Sequence, residues 1–261
     1  MASLHTFCRR ELFQACWEIL LDEDFVSAYR HGIILKCADG ITRRVFPRIF
    51  TYSADYPEKV LIATIKDMGL CPCPRCLTPK KLFSDLGLLQ DMKSRLNNLR
   101  TYTMTKVIEA RDFIYRCGNT VDGVKVDHSL GGGSWVPTLN QFATKLGPLG
   151  LNPFRMLVID FMHECELGTW KSLFMHLIRL LYALPRGSKL VASLDSRFRQ
   201  VPTFGNGVIR TFANNTSEMK RLAARGFEDI LQVFSAYLFS AFDPLTVVIT
   251  SLSIRAMART G

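Results

Sequence analysis

Apolar residues near the start of the chain recur at the spacing of an amphipathic helix. They follow an i, i+3, i+4 pattern between residues 10 and 30, as expected when one helical face is buried. We therefore predict a helix over residues 10–30 that breaks near residues 22–24 and ends at Gly32. The members of this stripe are Leu12, Phe13, Cys16, Trp17, Leu20, Leu21 and Phe25.

The pattern then changes to short strands. Two apolar runs, 33–38 and 41–46, flank an Asp39-Gly40 dipeptide. Because Asp-Gly suits a type I′ turn, the sequence predicts a β-hairpin. Residues 48–53 predict a further short strand, which places Asp55 just beyond its carboxyl end. Ligands and catalytic acids gather at that edge of open α/β sheets.

Asp55 has a second interpretation as a helix cap. Pro57 fits the first turn of a following helix, which we predict to end at Gly69. Glu58 stands three residues after Asp55, the spacing of a capping box, although a capping box proper begins with Ser or Thr. An N-cap is the plainer reading of Asp55, and it is compatible with a role facing a metal ion.

The second half of the chain is predicted to be mostly helical. Residues 79–117 indicate polar helices, 119–150 a connector with short helical pieces, and 156–182 an apolar helix. Basic residues outnumber acids in the polar helices, which suits either a DNA-binding face or an ordinary solvated surface. These basic residues are Lys80, Lys81, Lys93, Arg95, Arg100, Lys106, Arg111 and Arg116.

Composition narrows the class of protein. The 261 residues are 48% hydrophobic, enough for a packed core, and the formal net charge is +10. That charge favours an acidic partner such as nucleic acid, but it does not require one. The N-terminus lacks the apolar stretch of a signal peptide. The longest apolar region, 233–254, is interrupted by Asp243-Pro244, so we expect no membrane span, and a nuclear or cytosolic protein.

A cysteine pair is the first candidate for metal chemistry. Cys73 and Cys76 form a Cys-x-x-Cys motif, with Cys71 two residues before it. Such a pair can be half of a zinc site or a redox pair, or the spacing can arise by chance. Here the cysteines follow a helix and alternate with prolines, as in zinc knuckles. Zinc would need one or two further ligands from elsewhere, because structural sites have four.

The helix predicted over 156–182 carries the second candidate. Asp160, His163 and Glu164 fall on one stripe at helical spacing. His176 lies 13 residues beyond His163, about 20 Å along a helix, so both histidines cannot bind one metal. His163 is then the candidate histidine ligand, with Asp160 either a ligand or its hydrogen-bond partner. The fourth ligand is left open between Cys71, Asp160 and a residue outside this chain. The alternative is an amphipathic helix with a polar edge.

Taken in order, these motifs resemble the transposases of fungal mobile elements of the Plavaka type. Those are similar to the wider Kyakuja–Dileera–Zisupton and CACTA group. The likeness covers roughly residues 12–231 and implies a helix-rich, mixed α/β fold with a partial ribonuclease-H-like core. It implies a domain over 1–231, a helical insertion at about 79–150 and a divergent tail at 232–261. The segments that carry it are FPRIFTYSADYPEKVLIATI, CPCPRCL, VIDFMHECELGTWKSLFMHLIRLL, RFRQVPTFG and MKRLAARGFEDILQ.

The resemblance also implies a chemistry. Family members cut and join DNA with three acids that hold two Mg²⁺ or Mn²⁺ ions. By that likeness Asp55 matches the second acid, Cys73 and Cys76 the cysteine pair, and Asp160 and His163 an Asp-x-x-His signature. The other two acids are not identifiable in this chain. The likeness implies transposon-end DNA as a partner and admits a homo-oligomer.

Three functions follow as hypotheses. The first is a truncated transposase fragment that is inactive alone and keeps a structural zinc site. The second is a domesticated DNA- or protein-binding module with the same zinc site. The third, from a different class, is a thiol-redox or zinc hydrolase protein using Cys73, Cys76 and His163. A hydrolase would also need an open zinc position and a general base, and no residue clearly supplies both.

The ligand hypothesis makes a direct prediction. If His163 and Cys76 bind the same zinc ion, His163→Ala lowers zinc content as much as Cys76→Ser does. Metal analysis of the purified variants checks this, with His176→Ala as the matched control that keeps its zinc. Zinc content unchanged in His163→Ala would contradict the ligand set.

Overall fold

The computed structural model describes residues 2–218 and 223–240 of the chain. It is a helix-rich mixed α/β structure, as predicted. The chain divides into two compact units, Met1–Val158 and Ile159–Gly261. Residues 219–222 and 241–261, which include most of the predicted tail, lie outside the described residues. The domain boundaries predicted from the sequence stay predictions.

The first unit contains six α-helices and four short strands among its described residues. The helices are α1 (Ala2–Leu20), α2 (Glu23–His31), α3 (Tyr56–Ile62), α4 (Leu89–Asn97), α5 (Met104–Tyr115) and α6 (Val124–Leu130). The strands are β1 (Ile33–Lys36), β2 (Thr42–Val45), β3 (Tyr52–Ser53) and β4 (Leu157–Val158). Single turns of 3₁₀ or π helix lie at Lys80–Asp85, Gly131–Gly133, Phe142–Leu146 and Gly147–Leu149.

The predicted break in the first helix is confirmed, although α1 begins earlier than expected, at Ala2. Asp22 caps α2 by accepting a hydrogen bond from the Phe25 N–H at 2.7 Å, as N-cap carboxylates do. Gly32, with φ of 74°, ends α2. The sequence therefore located both boundaries of α2, although it did not identify Asp22 as the capping residue.

The hairpin is confirmed, but its turn differs from the predicted type. β1 pairs antiparallel with β2, and Ile33 lies opposite Val45. The Cys37 N–H donates to the Ile41 carbonyl at 2.9 Å, which leaves a three-residue loop. A type I′ turn needs a positive φ at two residues, whereas Gly40 (φ 78°) is the one residue of the Asp39-Gly40 pair that has it. The longer loop needs that single left-handed residue.

The strand before Asp55 is shorter than predicted, and the helix after it ends earlier. β3 comprises Tyr52–Ser53 and pairs parallel with β4. α3 ends at Ile62 rather than at Gly69, because Thr64 adopts a left-handed conformation with φ of 50°. The chain then bonds to a distant segment: the Val136 N–H donates to the Thr64 carbonyl at 3.1 Å. A tertiary contact thus overrides the local helical pattern.

The core of the first unit gathers apolar residues from α1, α2, α3, α5, α6 and the connector, whereas the apolar residues of α4 stay exposed. Residues 79–150 fold as helices and short helical turns, as expected for the proposed insertion. Trp17 packs 4.6 Å from Phe142, and Trp135 packs 5.5 Å from Phe154, between ring centroids. The most deeply buried residues of this core include Leu21, Ile62, Ile65, Leu130, Phe142, Leu146, Phe154, Met156 and Leu157.

The second unit is helical among its described residues. The single helix predicted over 156–182 is wrong, because Leu157 and Val158 form β4 and the chain then winds as a π helix, Phe161–Trp170. Its remaining helices are α7 (Lys171–Ala183), α8 (Gly187–Arg199), the 3₁₀ turn Thr216–Glu218 and α9 (Ala224–Ser240). Its core includes Trp170, Phe174, Ile178, Leu181, Val191, Phe198, Phe227 and Ile230. None of the described helices is long and apolar enough to cross a membrane.

Candidate metal centre

The three clustered cysteines lie in a loop that is folded into the first unit. Cys71 and Cys76 are each 3% exposed, and Cys73 is half-buried. The Cys71 N–H donates to Ser134 Oγ at 2.8 Å, and its thiol donates to the Leu77 carbonyl at 3.3 Å. This loop, residues 71–76, is called the cysteine loop below.

A buried arginine holds the cysteine loop in place. Arg100 is 1% exposed. Its Nε donates to the Cys73 carbonyl at 2.7 Å, its Nη1 to the Gly133 carbonyl at 2.6 Å, and its Nη2 to the Cys71 carbonyl. The guanidinium carbon also lies 5.0 Å from the centroid of the Trp135 ring, within cation–π range. One side chain therefore joins the cysteine loop to the segment around Gly133.

The main chain adds to this connection. The Arg100 N–H donates to the Arg75 carbonyl at 2.9 Å, and the Leu77 N–H donates to the Asn98 carbonyl at 2.8 Å. Cys76 and Leu99 form an antiparallel bridge between these bonds. The cysteine loop is therefore paired with the segment that carries Arg100, as a very short two-stranded element.

The pKa values of the Cys73 and Cys76 thiols are shifted in opposite directions. The hydrogen bond from Cys73 lowers the pKa of Cys76 to about 5 against the opposing effect of burial, with further help from Thr78 and Arg95. The Cys76 Sγ lies 3.3 Å from Thr78 Oγ1 and 3.8 Å from Arg95 Nη1. Because Cys73 donates that hydrogen bond and is itself buried, its pKa is raised. These opposite shifts favour ionisation of Cys76 before Cys73.

A thiolate is the form of cysteine that binds zinc, so Cys76 with Cys73 fits that metal chemically. Among the described residues, no group of three or more His, Cys, Asp or Glu side chains is arranged to hold a metal ion. Burial raises the pKa of Cys71, and the nearby Arg100 charge opposes that rise. The roles of Cys71, Cys73 and Cys76 as ligands stay predictions.

Asp160 and His163 lie in the second unit, where Asp160 caps the π helix. Its Oδ1 accepts the Met162 N–H at 3.1 Å, and its Oδ2 contacts His163 Nδ1. Burial acts to raise the pKa of Asp160, but hydrogen bonds from His163 and Met162 outweigh it and the pKa is lowered. A carboxylate on Nδ1 fixes the ring and leaves Nε2 as the ligand atom in many metal sites. The predicted Asp160–His163 partnership is therefore present.

Sequence reasoning did not single out Glu166, a buried acid of the same π helix. Glu166 is 5% exposed. Burial raises its pKa, and the charges of Glu228 and Asp160 raise it further. Glu166 stands three residues after His163, a spacing that would have placed it on the same stripe. No local pattern marks this acid as buried.

Asp55 is an N-cap, as the plainer reading predicted. Its Oδ1 accepts the Glu58 N–H at 3.0 Å at the start of α3. The Tyr52 hydroxyl in turn donates to Glu58 Oε1 at 2.6 Å. Asp55 follows β3 by two residues, beyond the carboxyl end of a parallel strand pair, so its expected position at a strand end is confirmed.

The sequence leaves two interpretations of the basic residues over 79–117 open, a DNA-binding face and a solvated surface. Arg100 is buried, which removes it from any surface. Arg95 pairs with Asp91 at 2.7 Å, and Arg111 pairs with Glu11 at 2.7 Å. These arginines bind within the protein, so the solvated-surface interpretation describes this region better than a continuous DNA-binding face.

The described residues combine a Cys-x-x-Cys loop and an Asp-x-x-His pair within a helix-rich, mixed α/β structure. The sequence model of the Plavaka transposase family matches residues 2–178, about two-thirds of the chain. The chain belongs to the Plavaka transposase family. No curated protein and no solved structure matches it.

The thiol pair predicts how stability depends on pH. The folded-state pKa of Cys76, about 5, lies below that of an unfolded cysteine, about 8.5. Ionised Cys76 therefore adds stability that is complete above the unfolded pKa and is lost as pH falls through the folded pKa. For the wild-type protein, urea unfolding in the presence of a chelator should show a free energy of unfolding that rises from about pH 5 to about pH 8.5. In Cys76→Ser this free energy should rise less over the same pH range.

The exposed Cys117 provides the control for this measurement. Cys117→Ser should follow the wild-type pH dependence. An identical slope in Cys76→Ser would show that this thiol is not ionised in the folded protein.

Proposed function

We propose that this protein is a transposase-derived DNA-binding protein that keeps a zinc-stabilised core and does not cleave DNA on its own. Membership of the Plavaka transposase family carries this proposal. DNA, in the form of transposon ends, is the partner, and the nucleus is the compartment in which it would be met. Self-association is compatible with this role.

The ribonuclease-H-like core is part of the proposal. Cores of that kind place catalytic acids at the carboxyl ends of neighbouring strands, where open α/β sheets gather ligands. The parallel pairing of β3 with β4, with Asp55 two residues beyond β3, supports this reading. The sheet that supports it is small, two residues in each strand.

The proposed inactivity follows from the two catalytic acids that are not identifiable in this chain. Two-metal DNA cleavage needs several carboxylates, which hold two ions and activate a water or a 3′-hydroxyl. Asp55 is the one residue that the resemblance matches to the three catalytic acids, and one of its oxygens caps α3. A single carboxylate cannot hold two ions, so no cleavage step is assigned to this chain.

The proposed zinc would be held in the first unit by Cys73 and Cys76, with Cys71 nearby. Zinc in such a site is structural: it cross-links the loop and contributes to folding directly. The buried Arg100 charge, which the neighbouring thiols favour electrostatically, would offset the negative charge of zinc-bound thiolates. His163, oriented by Asp160, remains the proposed histidine ligand.

A thiol-redox role is the competing function, and the lowered pKa of Cys76 favours it. Thiolates attack disulfides, and Cys-x-x-Cys pairs with one low pKa are typical of oxidoreductases. However, Cys76 is 3% exposed, and a redox thiolate must be reachable by its substrate. Burial therefore favours the structural zinc role.

The proposal predicts DNA binding without cleavage. Wild-type protein should retard a DNA duplex but leave supercoiled plasmid intact in Mn²⁺. Asp55→Asn should bind DNA as tightly as wild type, because the carboxylate is assigned no part in binding. Mobility-shift and plasmid-nicking assays provide the two readouts. Mn²⁺-dependent nicking that disappears in Asp55→Asn would establish catalysis and overturn the proposed inactivity.

A further inference from the structure

The hairpin formed by β1 and β2, together with the residues that flank it, concentrates positive charge. Residues 30–48 contain five Lys or Arg residues against one acid, Asp39, so this short segment carries a net +4 of the +10 of the whole chain. Strongly basic surfaces of this kind are the electrostatic signature of nucleic-acid binding. The five basic residues are Arg30, Lys36, Arg43, Arg44 and Arg48.

Both faces of the hairpin are open. Every residue of β1 and of β2 is exposed, including Ile34 at 66%. An isolated two-stranded ribbon is only marginally stable in water, and exposed apolar side chains grouped together commonly mark a binding surface. The hairpin therefore has the exposure expected of an element that is covered by a partner.

The base of the hairpin is fixed to α2. The Arg48 guanidinium donates to the Tyr29 carbonyl and lies 4.2 Å from the centroid of the Tyr29 ring. Gly32 lets the two strands close tightly, since a Cβ there would approach Arg44 Cγ to 2.7 Å. Tyr29 itself is 7% exposed. The open ribbon thus projects from an anchored base.

The register sorts the charges between the two faces. Ile34 lies opposite Arg44, and Lys36 opposite Thr42; because facing residues share a side of the sheet, Lys36 and Arg44 lie on one face. Arg43 lies on the other face and pairs with Asp39 at 2.6 Å. Within the part of the chain that the structure describes, neither Lys36 nor Arg44 has an acidic partner.

We propose that the Lys36–Arg44 face of this hairpin binds duplex DNA by lying in the major groove. This inference rests on the DNA binding proposed above and assigns it to a surface. The major groove, about 12 Å wide, admits a two-stranded ribbon, and unpaired Lys and Arg side chains neutralise phosphates. The polar helices are the rival surface. There, Arg95, Arg111 and Arg116 are paired with acids and Arg100 is buried.

The test compares two double variants of the full chain that remove equal charge. Lys36→Gln/Arg44→Gln removes both charges from the proposed face, and glutamine at position 44 retains the Cγ that lies beside Gly32. Lys93→Gln/Lys106→Gln removes two exposed lysines from α4 and α5. Affinity for a labelled DNA duplex is measured against salt concentration by fluorescence anisotropy, and folding of each variant by circular dichroism.

We expect Lys36→Gln/Arg44→Gln to weaken binding by about 10-fold or more near 0.1 M salt and to reduce the slope of log affinity against log salt by about 2. The helix variant should retain wild-type affinity and slope within about 3-fold. Equal losses in both variants would mean that net charge alone drives binding, and would overturn the assignment.

Two other outcomes distinguish failure of the proposed function from failure of this surface assignment. If the wild-type chain does not bind DNA, the proposed function fails together with this inference. If wild type binds but the hairpin variant binds equally well, the inference alone fails. In that case a changed sedimentation coefficient in Leu35→Asp would identify the ribbon as a contact between two copies of the chain.

Discussion

The structure of the first unit depends on one buried cation. Arg100 donates to three main-chain carbonyls, those of Cys71, Cys73 and Gly133, from a position that is 1% exposed. Burying a charge is costly unless its hydrogen bonds are satisfied. Three charge-assisted bonds meet that requirement, and they fix a proline-rich loop that has little regular structure of its own. The cysteine pair owes its position to this arginine.

The same charge connects the fold to the proposed metal chemistry. Burial lowers the pKa of Arg100, while the neighbouring cysteine thiols act to raise it. Among the described residues no carboxylate pairs with its guanidinium, so thiolate is its natural counter-charge. The lowered pKa of Cys76 is therefore electrostatically consistent with the nearby Arg100 charge. Bound zinc would keep further thiols of the loop ionised.

Local signals predicted much of the fold. Gly32 ends α2 and Asp55 caps α3, as their sequence context indicated, because helix ends depend on a few neighbouring residues. Long-range contacts account for the errors. α3 ends at Ile62 because Thr64 bonds to Val136, and the π helix at Phe161–Trp170 follows a strand that pairs with distant Tyr52. Arg100 was counted as surface charge, because no local pattern separates a buried arginine from an exposed one.

Replacement of Arg100 tests the central claim most directly. Arg100→Met removes all three donors, and each buried carbonyl left unpaired costs about 1–3 kcal/mol; Arg75→Met makes the same change at an exposed position of the same loop. Urea unfolding in the presence of a chelator gives both free energies of unfolding. We expect a loss of about 3 kcal/mol or more for Arg100→Met and less than about 0.5 kcal/mol for Arg75→Met. Equal stability of the two variants would contradict the role assigned to the buried guanidinium.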